Sequence, residues 1–465
     1  MATHNDQDRL CQRDQDLTFL QLLRPDSDTS PLALGKLVGA LKANQSVRKV
    51  RIFMQQDFFP PPRHNNNDQN NNENETIHLA VVVEEDPTVL VRRQLFHAVG
   101  SLRNLEQIKI DSFTGLVTFP VQMLSQTVSR ARCLRELELW DLKFAVSHKR
   151  DFEDLQRSLQ NHPALQKFTI YNCQLEEEVG AQQGEETDGE NSTTGSSSTS
   201  MDPLLYALGS IPTLKQVYIT AAAAASSSNF AVAFSCSALE YLCRSKSLEE
   251  LGLWKFNFPY SHHQQQQDGD NVGDPLSKMV PAIANSNTMR MFEFGKCHLS
   301  PTSDRALANM LETNTSLEEL DLHLDVGGKY RARNDGSSPY NNTTTDSSCC
   351  CNIEATAKAL ESNVTLKRLK LWGLLSRDNQ LALVQMIRNN YVLETFRLLD
   401  ADRDVSLCID FFIQLNRNGC QRLLADEEMT VTMADWVDFF AGSAGNDLTI
   451  IFYYLSMKPG LCCLG

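Results

Sequence analysis

The sequence predicts an α/β solenoid, a horseshoe of parallel strands joined by helices. Three observations predict it. The stretch Leu248-Glu249-Glu250-Leu251-Gly252-Leu253-Trp254 reads apolar, two variable places, apolar, variable, apolar, variable, and the same seven places return at Leu317 to His323 and Leu366 to Trp372. Between such stretches, apolar residues recur at helical spacing. Polar, low-complexity sequence enters at a fixed phase, after a strand and before the next helix.

The seven-place pattern is the strand half of a leucine-rich repeat. Its first, fourth and sixth places form apolar triples along the chain. They are Val47, Val50 and Ile52; Leu105, Ile108 and Ile110; Leu134, Leu137 and Leu139; Leu165, Phe168 and Ile170; and Leu214, Val217 and Ile219. Then come Leu248, Leu251 and Leu253; Met289, Phe292 and Phe294; Leu317, Leu320 and Leu322; Leu366, Leu369 and Leu371; and Leu393, Phe396 and Leu398. The short spacings, 27 to 31 residues, leave room for a full helix between strands. Helices are expected at Leu32 to Ala43, Phe152 to Leu159, Ala306 to Leu311, Ala355 to Leu360 and Leu381 to Ile387. Several lead into an Asn-containing turn, as at Asn314, and Asn tolerates the left-handed conformation that ends a helix. Parallel strands joined by helices put a concave sheet inside and helices outside.

The domain reading follows. Residues 1–31 are a polar, irregular flank, and 32–404 are a solenoid of about ten repeats. Flexible insertions occupy 60–76, 176–202, 259–275 and 327–351, each too polar or too rich in Asn, Gln, Ser or Gly to repay ordering. Ile77 to Val83 reads as an extra strand. Residues 405–465 form a helical C-terminal cap, with helices at Cys408 to Leu415, Met433 to Phe440 and Leu448 to Met457, because a solenoid end exposes an apolar face.

Composition narrows the function. A net charge of -15 argues against nucleic acid or an anionic membrane as partner. No apolar run reaches the roughly 20 residues of a membrane span, and the start of the chain has no signal-peptide core. The 13 cysteines lack framework spacing and read as reduced thiols of a cytoplasmic or nuclear protein.

With triples, period and helical linkers in hand, the chain resembles the ribonuclease-inhibitor-type leucine-rich repeats. That family adds Cys or Asn at the ninth place and an apolar residue at the eleventh. Cys173 with Leu175 and Cys297 with Leu299 fit, while Leu142 with Phe144 and Phe256 with Phe258 keep only the apolar place. The run Leu415 to Gly419, Trp436, and Phe452 to Leu455 through Cys462 resembles the tail of leucine-rich-repeat proteins of diatoms. The resemblance implies a protein-interaction surface without an enzyme activity of its own.

Candidate site residues come from strand alternation. Places three, five and seven face away from the apolar triple. The seventh holds Phe53, Trp140, Tyr171, Trp254, His323 and Trp372, including three of the four tryptophans. Two readings stand: a binding stripe, since interfaces favour Trp and Tyr, or a structural ladder of rings between neighbouring strands. Charges are zoned. Lys49, Arg51 and Lys109 are basic, Glu136 and Glu138 acidic. Glu250, Glu293, Glu319 and Asp321 form a second acidic zone beside Arg368, Lys370 and Arg397, which could steer a partner.

Glu319, Asp321 and His323 share a face but lie on an open sheet, which argues against catalysis. Cys349-Cys350-Cys351 and His262-His263 lack the gaps that let a chain wrap zinc. Cys462 stands four from the end, but the final Gly465 suits prenylation poorly. No phosphate-binding loop, nucleophile elbow or HExxH helix is present. The expected function is a non-catalytic scaffold, without cofactor or metal, binding an unknown protein or extended peptide across Trp140 to Trp372. The alternative is a regulator of a small GTPase, like the Ran GTPase-activating protein, although no strongly acidic tail follows the repeats. A recognition module of an immune receptor or ubiquitin ligase is a third reading, without the domains that accompany one.

Overall fold

The structure, a computed structural model, describes residues 19–22, 31–43, 46–54, 87–112, 115–146, 149–177, 202–221, 235–254, 275–297, 301–324, 353–373, 375–399 and 401–417. The insertions 60–76 and 327–351, residues 178–201 and 259–274 of the other two, Ile77 to Val83 and the two expected helices beyond 417 lie outside these residues; Glu176 and Glu177, expected in an insertion, extend a strand instead, and Asp202 and Pro275 begin helices. The chain forms two compact units, Met1–Leu248 with Lys255–Phe258, and Glu249–Trp254 with Pro259–Gly465.

Each unit is a leucine-rich-repeat solenoid. In the first, strands β1 (Phe19–Leu22), β2 (Lys49–Met54) and β3 (Gln107–Ser112) are followed by a short β4 (Val117–Pro120). Then come β5 (Glu136–Trp140), β6 (Leu142–Val146), β7 (Lys167–Glu177) and β8 (Gln216–Ala221). β1, β2, β3, β5, β7 and β8 pair in that order, all parallel. Their apolar places fall in register: Ile108 opposite Leu137, Leu137 opposite Phe168, Phe168 opposite Val217. All four are buried. β1 lies in the flank that the sequence reads as irregular; it pairs Leu20 with Val50 and Leu22 with Ile52. β4, β6 and the far end of β7 make a second, small parallel sheet that the repeat pattern did not reveal. Phe119 and Phe144 meet there in register, both buried.

The second unit runs β9 (Glu250–Trp254), β10 (Met291–Cys297), β11 (Glu319–Leu324), β12 (Arg368–Trp372) and β13 (Thr395–Leu398), again parallel. Leu251, Phe292, Leu320, Leu369 and Phe396 make one row across it, each buried. The expected helices that fall within the described residues form, at Pro31–Ala43, Lys149–Gln160, Pro301–Thr313, Glu354–Ser362 and Arg377–Asn389. The helix expected at Cys408 to Leu415 spans Arg403–Arg417 and is tied down by Arg377, whose Nη1 lies 2.7 Å from Asp402 and 3.0 Å from Asp404.

The turn asparagines act otherwise than expected. Asn363 (φ -72, ψ 127) and Asn390 (φ -90, ψ 122) are extended, not left-handed. Their amides work as staples instead. Asn314 Nδ2 donates to Ile283 O (2.7 Å) and Ser286 O (2.9 Å), while its Oδ1 accepts from Ser316 N and Leu317 N. Asn363 and Asn390 repeat this pattern one and two repeats on, and Asn416 Nδ2 bonds Asn390 O and Leu393 O. Each rung satisfies backbone groups of two consecutive repeats, which a buried turn cannot leave unpaired.

His162 fills the same position in the first unit. Its Nε2 donates to Ala131 O at 2.9 Å, and its Nδ1 accepts from Leu165 N at 3.1 Å. That bonding pattern needs the neutral imidazole. Burial lowers its pKa below the ordinary 6.5, against a smaller opposing pull from the Ala131 carbonyl. The unfolded chain therefore takes up its proton first as pH falls. Stability of the first unit should be full above about pH 6.5 and decline as pH drops below it. Thermal melts of wild type and His162→Asn across this range check it. The Asn variant, with the amide used at other rungs, should lack the decline; parallel curves would show that His162 is not the group responsible.

Candidate functional site

Places three, five and seven of each strand lie on the face opposite the helices. Strands about 4.8 Å apart bring like places of neighbouring strands into contact, so long side chains there cover one another. In the first unit Arg51 Nη2 bonds Asp111 Oδ2 at 2.9 Å and its guanidinium lies 4.3 Å from the Phe53 ring centre. Phe53, expected as a binding residue, is 3 % exposed beneath it. Lys109 sits 3.8 Å from the Trp140 ring centre, with Asp111 at 3.6 Å and Glu138 at 4.0 Å. Glu138 also takes Lys167 at 2.8 Å. Trp140 stacks on Tyr171, its register partner, with ring centres 4.6 Å apart. Trp140 Nε1 is buried with no hydrogen-bond partner among the described residues.

Here β5 ends and β7 shifts register, both at a bend. Asp141 (φ 55) and Asn172 (φ 52) are left-handed, and the Asn172 amide donates to the Asp141 carboxylate of the preceding repeat. Cys173, the ninth-place cysteine, is buried behind the bend, and burial pushes its thiol up to about 12, so it packs rather than reacts.

The second unit gathers Trp254, His323 and Trp372. His323 stacks on Trp372 with ring centres 4.8 Å apart and meets Trp254 edge-on at 4.1 Å. The first pair is in register on adjacent strands. The second is not: β10 lies between β9 and β11, and side chains two strands apart would ordinarily be about 10 Å distant. Gly295, at the seventh place of β10, explains the contact. A Cβ there would stand 3.1 Å from Trp254 Cε3 and 3.2 Å from Trp254 Cα, so the indole occupies the space that a side chain would fill. Gly295→Val should force the ring off His323 and cost about 1–3 kcal/mol as overpacking. Tryptophan emission and denaturant melts of the two proteins test this; unchanged emission would mean that Trp254 does not lie over Gly295.

The two cations beneath these rings, Arg368 and Lys370, are both paired. Glu319 takes Arg368 Nε at 2.6 Å and Lys370 Nζ at 2.8 Å. Burial pushes its carboxyl up, but those two cations outweigh burial and hold it below the ordinary range. Glu319's hydrogen bond likewise raises the Lys370 ammonium. Asp321, 3 % exposed, divides its oxygens: Oδ1 accepts from Trp372 Nε1 at 2.7 Å and lies 3.4 Å from His323 Nε2, while Oδ2 lies 3.4 Å from Lys370. Glu293, also buried, accepts from the Trp254 indole; burial outweighs that bond and raises its carboxyl, with the nearby Asp321 adding to the rise.

The sequence-expected residues thus separate. Trp140 with Tyr171, and Trp254 with His323 and Trp372, each form a ring set that remains partly exposed. Phe53 does not present its ring. The expected acidic zone does not stand as open charge, because Glu293, Glu319 and Asp321 are buried. Glu250 is half-buried on β9. Lys109, Asp111 and Gly295 shape the ring sets and were not singled out as such from the pattern, although their strand places were readable.

No family model and no curated protein matches the chain. Solved structures with a likeness to part of it include two leucine-rich-repeat-like domains. Leiomodin-1 actin-binding site 2 is 12 % identical, covering 40 % of this chain and 90 % of that one, with a TM-score of 0.27. The tropomodulin C-terminal domain of Caenorhabditis elegans is 14 % identical, covering 41 % and 98 %, with a TM-score of 0.25. At those values the repeat architecture rests on the strand register and helix order described above. Among the described residues no helix is long and apolar enough to cross a membrane.

Proposed function

We propose that the protein is a non-catalytic interaction scaffold of the ribonuclease-inhibitor repeat type, working in the cytoplasm or nucleus. It takes a partner protein or an extended peptide on the strand face opposite the helices. The observation that carries this reading is the Trp254–His323–Trp372 set: three partly exposed rings held rigid by mutual stacking and by the bond from Trp372 to buried Asp321. Aromatic groups with few rotors to freeze give large contact area at small entropic cost. The ring ladder and the binding surface are then one device, the stacking that orders the rings also preparing them for a partner. The internal ion pairs leave shape and ring chemistry, more than net charge, to select what binds.

The test compares wild type with a Trp140→Ala, Trp254→Ala, Trp372→Ala variant in affinity capture from source-cell lysate, after circular dichroism has shown the variant folded. Partners lost from the variant alone support the proposal. Equal capture by both would place any binding surface elsewhere.

A further inference from the structure

The charges of the second unit do not balance beneath its rings. Three buried carboxylates, Glu293, Glu319 and Asp321, face two bonded cations, Arg368 and Lys370. Further out, Glu250 and Arg397 add one charge of each sign. Glu319 is committed to both cations. Asp321 gives Oδ2 to Lys370 and turns Oδ1 toward His323. Glu293 approaches from the neighbouring strand with an indole N–H as its hydrogen-bond donor. A buried carboxylate without a cation of its own is costly.

One carboxylate oxygen from Glu293, one from Asp321 and one ring nitrogen of His323 all lie within 4.8 Å of one another. The sequence alone groups His323 with the carboxylates of its own strand; folding withdraws Glu319 into its ion pairs and supplies Glu293 from β10 instead. Metal–ligand distances of about 2.0–2.2 Å put ligand atoms roughly 3.3 Å apart in a tetrahedron, so side-chain movements of up to about 1.5 Å close the set. An indole N–H already orients each carboxylate, Trp254 on Glu293 and Trp372 on Asp321, the outer-layer bonding that metal-binding carboxylates require. The mixed nitrogen and oxygen donors suit a borderline first-row ion better than calcium or magnesium.

We propose that Glu293, Asp321 and His323 bind one divalent first-row transition ion, such as zinc, with water completing its coordination. The ion supplies the missing positive charge and locks the Trp254–His323–Trp372 set. This stands apart from the interaction proposed above, since ion binding needs no partner.

The full chain, stripped with chelator, is titrated with Co²⁺ and with Zn²⁺ while tryptophan emission, the melting temperature and the Co²⁺ absorption spectrum are followed. The expected result is saturable binding of one ion per chain, quenching by Co²⁺, a melting temperature that rises with Zn²⁺ concentration, and a cobalt spectrum without thiolate charge-transfer bands. Glu293→Gln and His323→Gln should each weaken binding at least tenfold. Binding that survives both substitutions, or a cobalt spectrum showing thiolate ligation by the Cys349 to Cys351 run, overturns the proposal; so does the absence of saturable binding to wild type. The spectrum is read on wild type, so the outcome does not depend on the variants folding.

Discussion

Asn390→Ala should be among the most damaging single substitutions in the second unit. The Asn390 amide is 1 % exposed and makes four hydrogen bonds: Nδ2 to Leu360 O (2.6 Å) and Asn363 O (3.0 Å), Oδ1 from Val392 N (3.0 Å) and Leu393 N (2.8 Å). Alanine removes the amide and leaves all four backbone groups without it. A buried group left unsatisfied costs about 1–3 kcal/mol. Even with water entering part of the gap, a loss of about 4 kcal/mol is expected, a large share of a domain's whole stability. Asn309→Ala, at an exposed helix position, should shift stability by less than about 0.5 kcal/mol. Urea melts of the two variants measure the difference. Similar midpoints would mean that the asparagine ladder does not hold consecutive repeats together.

Leu320→Ala should cost about 2–5 kcal/mol. Leu320 is fully buried in β11, between Phe292 of β10 and Leu369 of β12, so truncation opens a cavity between rows that cannot readily collapse. The adjacent Asp321 points to the other face, where strand alternation by itself would make its removal nearly free. The structure changes that expectation. Asp321→Ala strips the part-buried Trp372 Nε1 of its acceptor and Lys370 of one carboxylate, and should cost about 1–3 kcal/mol. The order of the two losses checks strand register. An Asp321→Ala loss exceeding that of Leu320→Ala would put the wrong face inward, and a negligible one would show that the Trp372 bond contributes nothing.

The candidate site was legible in residue type and in face. Trp140, Tyr171, Trp254, His323 and Trp372 all occupy the places that alternation assigned them. Phe53 shows where the pattern ends: its place was right, but Arg51 two residues earlier folds over the ring, and no periodicity encodes that. The turn asparagines were visible as a recurrence. Their role was not, because each bonds carbonyls of the preceding repeat, from 23 to 52 residues back, and His162 took up the same role under a different letter.

The sequence by itself determined the ten repeat strands, that helices join them and which side chains of each of these strands turn toward the core. Those follow from a repeat period long enough for a helix and from the two-residue alternation of a strand, both local properties. Only the tertiary structure decided which charges meet and which stay uncompensated. It also decided that Gly295 lets Trp254 reach His323 across a strand, and that Glu293 rather than Glu319 stands beside Asp321 and His323. Such contacts depend on the register of parallel strands whose intervening sequence varies in length, and side chains a few ångströms apart across a sheet carry no mark of one another in the chain.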